Sequence, residues 1–137
     1  MSVNTKPIGV AYEDQNIVGA DRILSDSELG YTTAGQGAVT QATDKSTAVT
    51  LNKSAGRITM NAASLGATTN VSFTLNNSLI SPNDTLILTI SSGATIGAYN
   101  CWVNSLTAGT ASITLRNTTG GALAEALIIN FALIHCV

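Results

Sequence analysis

From residue 36 onward, polar and apolar side chains alternate with a period of two. Thr47-Ala48-Val49-Thr50-Leu51-Asn52 alternates, as do Arg57-Ile58-Thr59-Met60-Asn61, Val71-Ser72-Phe73-Thr74-Leu75-Asn76 and Ala111-Ser112-Ile113-Thr114-Leu115-Arg116. Successive side chains of a strand point to opposite faces, so this alternation predicts strands with one face buried and one in water. Thr85-Leu86-Ile87-Leu88-Thr89-Ile90-Ser91 is more continuously apolar and reads as a central strand. Ile96 to Leu106 carries Tyr99, Cys101 and Val103 on one parity. Leu123 to Val137 is apolar with few breaks. Its Ala and Leu content over Ala122–Ile129 suits a helix, but the β-rich run Leu127-Ile128-Ile129-Asn130-Phe131-Ala132-Leu133-Ile134 favours a strand.

Turn chemistry separates these segments. Ser81-Pro82-Asn83-Asp84 has the composition of a type I turn, and Ser91-Ser92-Gly93, Ala108-Gly109 and Asn117-Thr118-Thr119-Gly120-Gly121 break the alternation. Residues 62–70 read as a bridging loop, with room for one helical turn. About seven short strands at regular spacing predict an all-β domain over residues 36–137, an antiparallel β-sandwich or jelly-roll-like fold.

Residues 1–35 carry no sustained period. Sparse apolar residues (Ile8, Val10, Tyr12, Ile17, Val18, Ile23, Leu24, Leu29, Tyr31) are interspersed with Glu13, Asp14, Asp21, Asp26 and Glu28. Ser25-Asp26-Ser27-Glu28 suits the start of a single helical turn that Gly30 ends, and Gly35-Gln36-Gly37 reads as a flexible joint. The segment reads as an extended or irregular N-terminal arm with local turns, whose reach when fully extended is at most about 115 Å. A leader selected only for disorder would hold fewer Ile, Leu and Tyr, so a segment that folds onto a partner fits better.

Charge divides the chain along the same line. Only 10% of residues are charged, against about 25% in ordinary globular domains, and 11 of the 14 charged side chains fall in residues 1–57. The last 80 residues hold Asp84, Arg116 and Glu125 alone. Ser, Thr and Asn, 44 in all, take over part of the solvation. Self-association accounts for the rest, because so little charge leaves a free surface poorly protected against association. Six scattered basic residues cannot supply the clustered charge that nucleic acid or an anionic membrane requires. No apolar run approaches the ~20 residues of a membrane span, and the start Met1-Ser2-Val3-Asn4-Thr5-Lys6-Pro7 has no secretory pattern, so synthesis in the cytoplasm is expected.

Candidate chemistry is sparse. His135, Cys101 and Cys136 fall short of the four ligands of a closed zinc site, and a histidine beside a packed terminal strand is the simpler reading than three His135 gathered on a three-fold axis. A Cys–His nucleophile pair would need an orienting third group, and Gly35-Gln36-Gly37 lacks the rest of a phosphate-binding fingerprint. No catalytic residue, cofactor or metal is expected. The Asn-x-Ser/Thr triplets are what chance supplies in a chain so rich in these residues. Tyr99 and Trp102, three apart in a strand, lie on opposite faces, so one packs in the core while the other is left as an interface or sugar-stacking aromatic. A lectin would be expected to show more exposed aromatics and paired acid–amide residues.

The stretch Gly37-Ala38-Val39-Thr40-Gln41-Ala42-Thr43-Asp44-Lys45-Ser46-Thr47-Ala48-Val49-Thr50-Leu51-Asn52, followed by Gly56-Arg57-Ile58-Thr59-Met60-Asn61, resembles a β-domain common in tailed-phage and prophage virion proteins. Val71-Ser72-Phe73-Thr74-Leu75-Asn76-Asn77-Ser78 continues the resemblance, as does the ending Leu115-Arg116-Asn117 … Glu125-Ala126-Leu127-Ile128-Ile129-Asn130-Phe131-Ala132. The resemblance implies a homotrimeric structural protein of the virion with no catalytic residues. It implies head decoration (cement), head-fibre or tail-fibre-tip proteins. The expected function is a decoration protein, made in the host cytoplasm, whose trimers bind the major capsid protein on the outer capsid surface and stabilise the shell. A tail-fibre tip or receptor-binding protein is the alternative, but it would bring a long shaft of repeats that is missing here. Residues 1–35 lie outside the resemblance. Three arms on one trimer would engage three shell subunits, gaining avidity on the order of 10² or more. Ile8, Tyr12, Glu13, Asp14, Ile17, Val18, Ile23, Leu24, Leu29 and Tyr31 are the expected capsid-contacting residues of the arm.

Overall fold

The computed structural model describes residues 19–22 and 24–136. Eight strands follow a three-residue 3-10 turn at Thr33–Gly35: β1 Gln36–Thr40, β2 Val49–Thr50, β3 Ala55–Thr59, β4 Asn70–Asn76, β5 Thr85–Ser92, β6 Tyr99–Thr107, β7 Thr110–Asn117 and β8 Ile128–Ile134. They form two four-stranded sheets, ordered β1-β3-β8-β5 (sheet A) and β2-β4-β7-β6 (sheet B). The sheets share one core. Ile58, Leu86, Ile129, Phe131 and Leu133 face inward from sheet A, and Val49, Phe73, Leu75, Tyr99, Ala111, Ile113 and Leu115 face inward from sheet B. The architecture is that of a β-sandwich.

Both sheets are mixed, which corrects the expectation of a purely antiparallel fold. β1 pairs parallel with β3, and β2 parallel with β4, while every other pairing is antiparallel. The chain places β1 in sheet A, β2 in sheet B, β3 in A and β4 in B, reversing direction at each crossing. Strands two apart therefore run the same way and meet side by side. Side-chain alternation specifies which face is buried but not which sheet a strand joins.

The expected strands are present with shifted ends, and β1 is an addition. Gly37 belongs to this strand rather than to a flexible joint. A Cβ there would lie 2.8 Å from Leu51 Cδ1, and one on Gly56 would lie 2.6 Å from Leu51 Cδ2 and 2.8 Å from Phe131 Cε1. These two glycines give way to the Leu51 and Phe131 side chains. The 122–129 segment forms no helix, and Ser25–Glu28 forms a bend, with Ser25 Oγ donating to the Glu28 carbonyl, instead of a helical turn. The 62–70 loop carries Leu65 into the core and bridges to Leu123. The expected turn forms at 81–84, where Asp84 N–H donates to the Ser81 carbonyl at 3.2 Å. β5 lies at the edge of sheet A, not at its centre.

Buried polar side chains anchor the loops at both ends of the sandwich. Asn117, fully buried, donates from Nδ2 to the carbonyls of Leu65, Gly66 and Gly121 at 3.1, 3.0 and 2.7 Å, and its Oδ1 accepts from Thr119 N–H and Oγ1. Asn77 donates to the Lys53 carbonyl, and Gln41 donates to the carbonyls of Lys45 and Thr47. Each satisfies backbone carbonyls of the loops, as buried backbone groups require. Among the described residues no helix is long and apolar enough to cross a membrane.

Candidate functional site

Asp84, Lys45 and Glu125 are tied up in the architecture of the sandwich. Asp84 sits with its side chain fully covered at the end of the sandwich where β8 stops. Its carboxylate accepts from Ser81 N–H at 2.7 Å, Ser81 Oγ at 2.9 Å and Cys136 N–H at 3.1 Å, and His135 Nδ1 lies 3.0 Å away. Those donors, the Ser81 amide foremost, hold Asp84 down to about 2 against the opposing effect of its desolvation. His135 and the Cys136 amide thus tie the segment after β8 to the 81–84 turn.

Lys45 is buried, and its Nζ donates to the carbonyls of Asn61 and, at 2.5 Å, Glu125. Burial lowers its pKa, with the Glu125 charge opposing. The Glu125 carboxylate accepts from Thr95 Oγ1 at 2.6 Å and from Thr95 N–H, which lowers its pKa. Tyr99 is pushed up to about 12 by burial and by the nearby Glu125. Its hydroxyl is nonetheless without a partner in hydrogen-bond geometry. An open concavity of about 300 Å³ borders Tyr99, lined otherwise by uncharged residues of the 90–97 segment.

Cys101 faces inward on β6, with its thiol pushed up by burial, and Cys136 is exposed beyond β8; both are free. Among the described residues no three His, Cys, Asp or Glu side chains gather in a way that would hold a metal ion.

The outer faces of the two sheets offer surfaces instead. On sheet A, register aligns Gln36, Ala55, Ala132 and Ile87 in one row, and Ala38, Arg57, Asn130 and Thr89 in the next. Ile134, opposite Thr85, extends the apolar part. Ile87 and Ile134 remain 48% and 49% exposed, and Arg57 is the one charge in these rows. β5 and β8 carry apolar residues on both faces, the composition of strands covered on both sides, yet Ile87 and Ile134 stay about half exposed. That accounts for β5 reading as a central strand. On sheet B, the outer face is amide and hydroxyl with one aromatic, Trp102, and one charge, Arg116. Tyr99 is the member of the pair that packs inside, as expected of two side chains on opposite faces.

Of the arm residues expected to contact a partner, Ile8, Tyr12, Glu13, Asp14, Ile17, Val18 and Ile23 lie outside the described residues. Leu24 and Leu29 are 82% and 92% exposed, unburied by their own domain. Tyr31 behaves differently. Its hydroxyl donates to the Leu133 carbonyl, Gln36 Nε2 donates to the Tyr31 carbonyl at 2.7 Å, and Lys53 Nζ donates to the Ala34 carbonyl at 2.9 Å. The chain from Tyr31 is held against the sandwich, and the exposed leucines precede that anchor.

Sequence reasoning missed the outward apolar rows of sheet A and the loop-anchoring amides. The first was legible in the lack of alternation in β5 and β8. The second left no signal, because Asn and Gln are common in loops for many reasons. No protein-family model matches the chain, and no curated protein or solved structure matches it.

Proposed function

We propose that the protein is a structural component of a tailed-phage virion, a head decoration protein with no enzymatic role. Three copies associate through the outer face of sheet A, and residues 1–35 bind the major capsid protein on the outside of the shell. The observation that carries this reading is the uncovered apolar face centred on Ile87, Ala132 and Ile134, bordered by a single cation. Apolar area of this kind gains from removal from water at roughly 25 cal/mol per Å², and with so little charge a second copy meets almost no like-charge repulsion. Leu24 and Leu29, unused by their own domain, are apolar anchors for the shell. The nested pairing of β3 with β8 and of β4 with β7 supports a jelly-roll-like description of the sandwich. The resemblance of residues 36–137 to virion β-domains points the same way.

Light scattering tests the assembly. The full chain at micromolar concentration is expected to show three times its 14.0 kDa mass, and Ile87→Asp, which changes only an outward side chain, is expected to return it to a single chain with an unchanged circular dichroism spectrum. Cosedimentation with undecorated phage heads tests the partner. The wild type is expected to pellet and a Leu24→Asp/Leu29→Asp variant to stay in solution. A single-chain mass for the wild type, or wild-type protein that never pellets, would sink the reading.

A further inference from the structure

The outer face of sheet B differs in kind from that of sheet A. Trp102 on β6 stands opposite Thr114 on β7, which stands opposite Ser72 on β4. Thr114 is buried although it points outward, and its hydroxyl shares a 2.6 Å hydrogen bond with Ser72 Oγ. The β6–β7 register slips between Val103 and Ser105, so Asn104 is the extra residue of a bulge. Bulges re-aim a side chain, and this one turns Asn104 across the face. Its Oδ1 accepts from Trp102 Nε1–H at 2.8 Å, and its Nδ2 donates to Ser112 Oγ at 3.2 Å and to Thr114 Oγ1.

This arrangement fixes an aromatic plate. The one polar atom of the indole is satisfied within the protein, so the exposed part of Trp102, 39% of the residue, is ring surface. Around it stand the hydroxyls and amides of Asn100, Asn104, Ser105 and Ser72, all exposed. Arg116 is the only charged side chain that points outward from this sheet, and its guanidinium is hydrogen-bonded to Asn70 Oδ1 at 3.2 Å. A held aromatic ring in a field of hydroxyls and amides, with the single cation Arg116 engaged by Asn70 at its margin, matches a hexose, which offers an apolar C–H face to stack and a rim of hydroxyls to pair. Polyanions would need a run of cations. A second copy of the chain would have to desolvate this polar ladder, at a cost that the apolar face of sheet A does not impose.

We propose that the outer face of sheet B, with Trp102 as its stacking plate and Asn104 as the positioning residue, binds neutral hexose-based polysaccharide chains. The proposal is independent of the assembly through sheet A, since it needs only one folded domain.

Trp102 is the chain's sole tryptophan, so its emission reports the site directly. The full-length protein is titrated with four soluble neutral hexose polysaccharides, a glucan, a mannan, a galactan and a galactomannan, and with heparin as the charged comparison. The same polymers are cast into native gels for affinity electrophoresis. At least one neutral polymer is expected to shift the emission saturably and retard the protein. Trp102→Ala is expected to weaken retardation about tenfold or more, Trp102→Phe to retain most of it, and Asn104→Ala to weaken it with the fold intact by circular dichroism. Any of four results overturns the proposal: no response to all four neutral polymers, a response to heparin alone, retardation unchanged in Trp102→Ala, or emission that moves with protein concentration in the absence of sugar.

Discussion

Replacing Asn117 by Ala probes the idea that buried amides hold the loops of this sandwich in place. The side chain reaches three carbonyls and two donors at once. Not all five lose their only partner on truncation. The Leu65 carbonyl keeps Leu123 N–H at 3.0 Å, and the Gly121 carbonyl keeps Thr119 Oγ1 at 2.9 Å. The groups left without a partner are the Gly66 carbonyl and the Thr119 N–H. The Thr119 N–H is part-buried and the Gly66 carbonyl belongs to an exposed residue that water reaches, so the total loss is about 1–3 kcal/mol, the cost of roughly one unsatisfied group. For a domain of this size that corresponds to a fall in Tm of up to about 10 °C. The measurement is urea and thermal unfolding of wild type and Asn117→Ala, with Asn100→Ala, exposed on β6, as the control. The denaturant slope is expected to stay the same, because the core is untouched. A loss below about 1 kcal/mol, or one no larger than that of the control, would mean that water replaces the amide and that the loops do not depend on it.

Two further predictions rest on the same structure. Asp84 is held down to about 2, below its ordinary 3.8, so its contribution to stability is complete above about pH 4 and is lost as the pH falls toward 2; Asp84→Asn is expected to flatten the acid limb of a Tm–pH profile in that window, and an unchanged limb would refute the assignment. Gly56→Ala places a methyl group against Leu51 and Phe131 and is expected to cost about 1–3 kcal/mol, whereas Gly30→Ala, with open space around it, is expected to cost almost nothing; equal urea midpoints for the two variants would contradict the packing account.

The alternation in the chain is sufficient to define an all-β domain, most of its strands, the inward placement of one member of the Tyr99–Trp102 pair and the 81–84 turn. These are local properties. A period of two follows from strand geometry wherever one face is buried, and Ser-Pro-Asn-Asp favours its turn without help from the rest of the chain. The concentration of charge in residues 1–57 is likewise a property of composition and needs no fold to be read.

Strand partners were not legible. The parallel pairs β1–β3 and β2–β4 arise because the chain steps from one sheet to the other while reversing direction, and side-chain order carries no mark of the sheet a strand enters. Gly37 looks like a flexible position in the sequence and Gly56 carries no signal of its own; only the nearness of Leu51 and Phe131 turns them into packing requirements. Asn117 is one Asn among 12 until Leu65, Gly66 and Gly121 converge on it. The two outer faces make the same point for function. Ile87, Ala132 and Ile134 become one apolar surface, and Trp102, Asn104 and Thr114 one polar network, only when register sets them side by side. Local patterning determines what each strand can bury; which residues share a surface is settled by contacts between segments far apart in the chain.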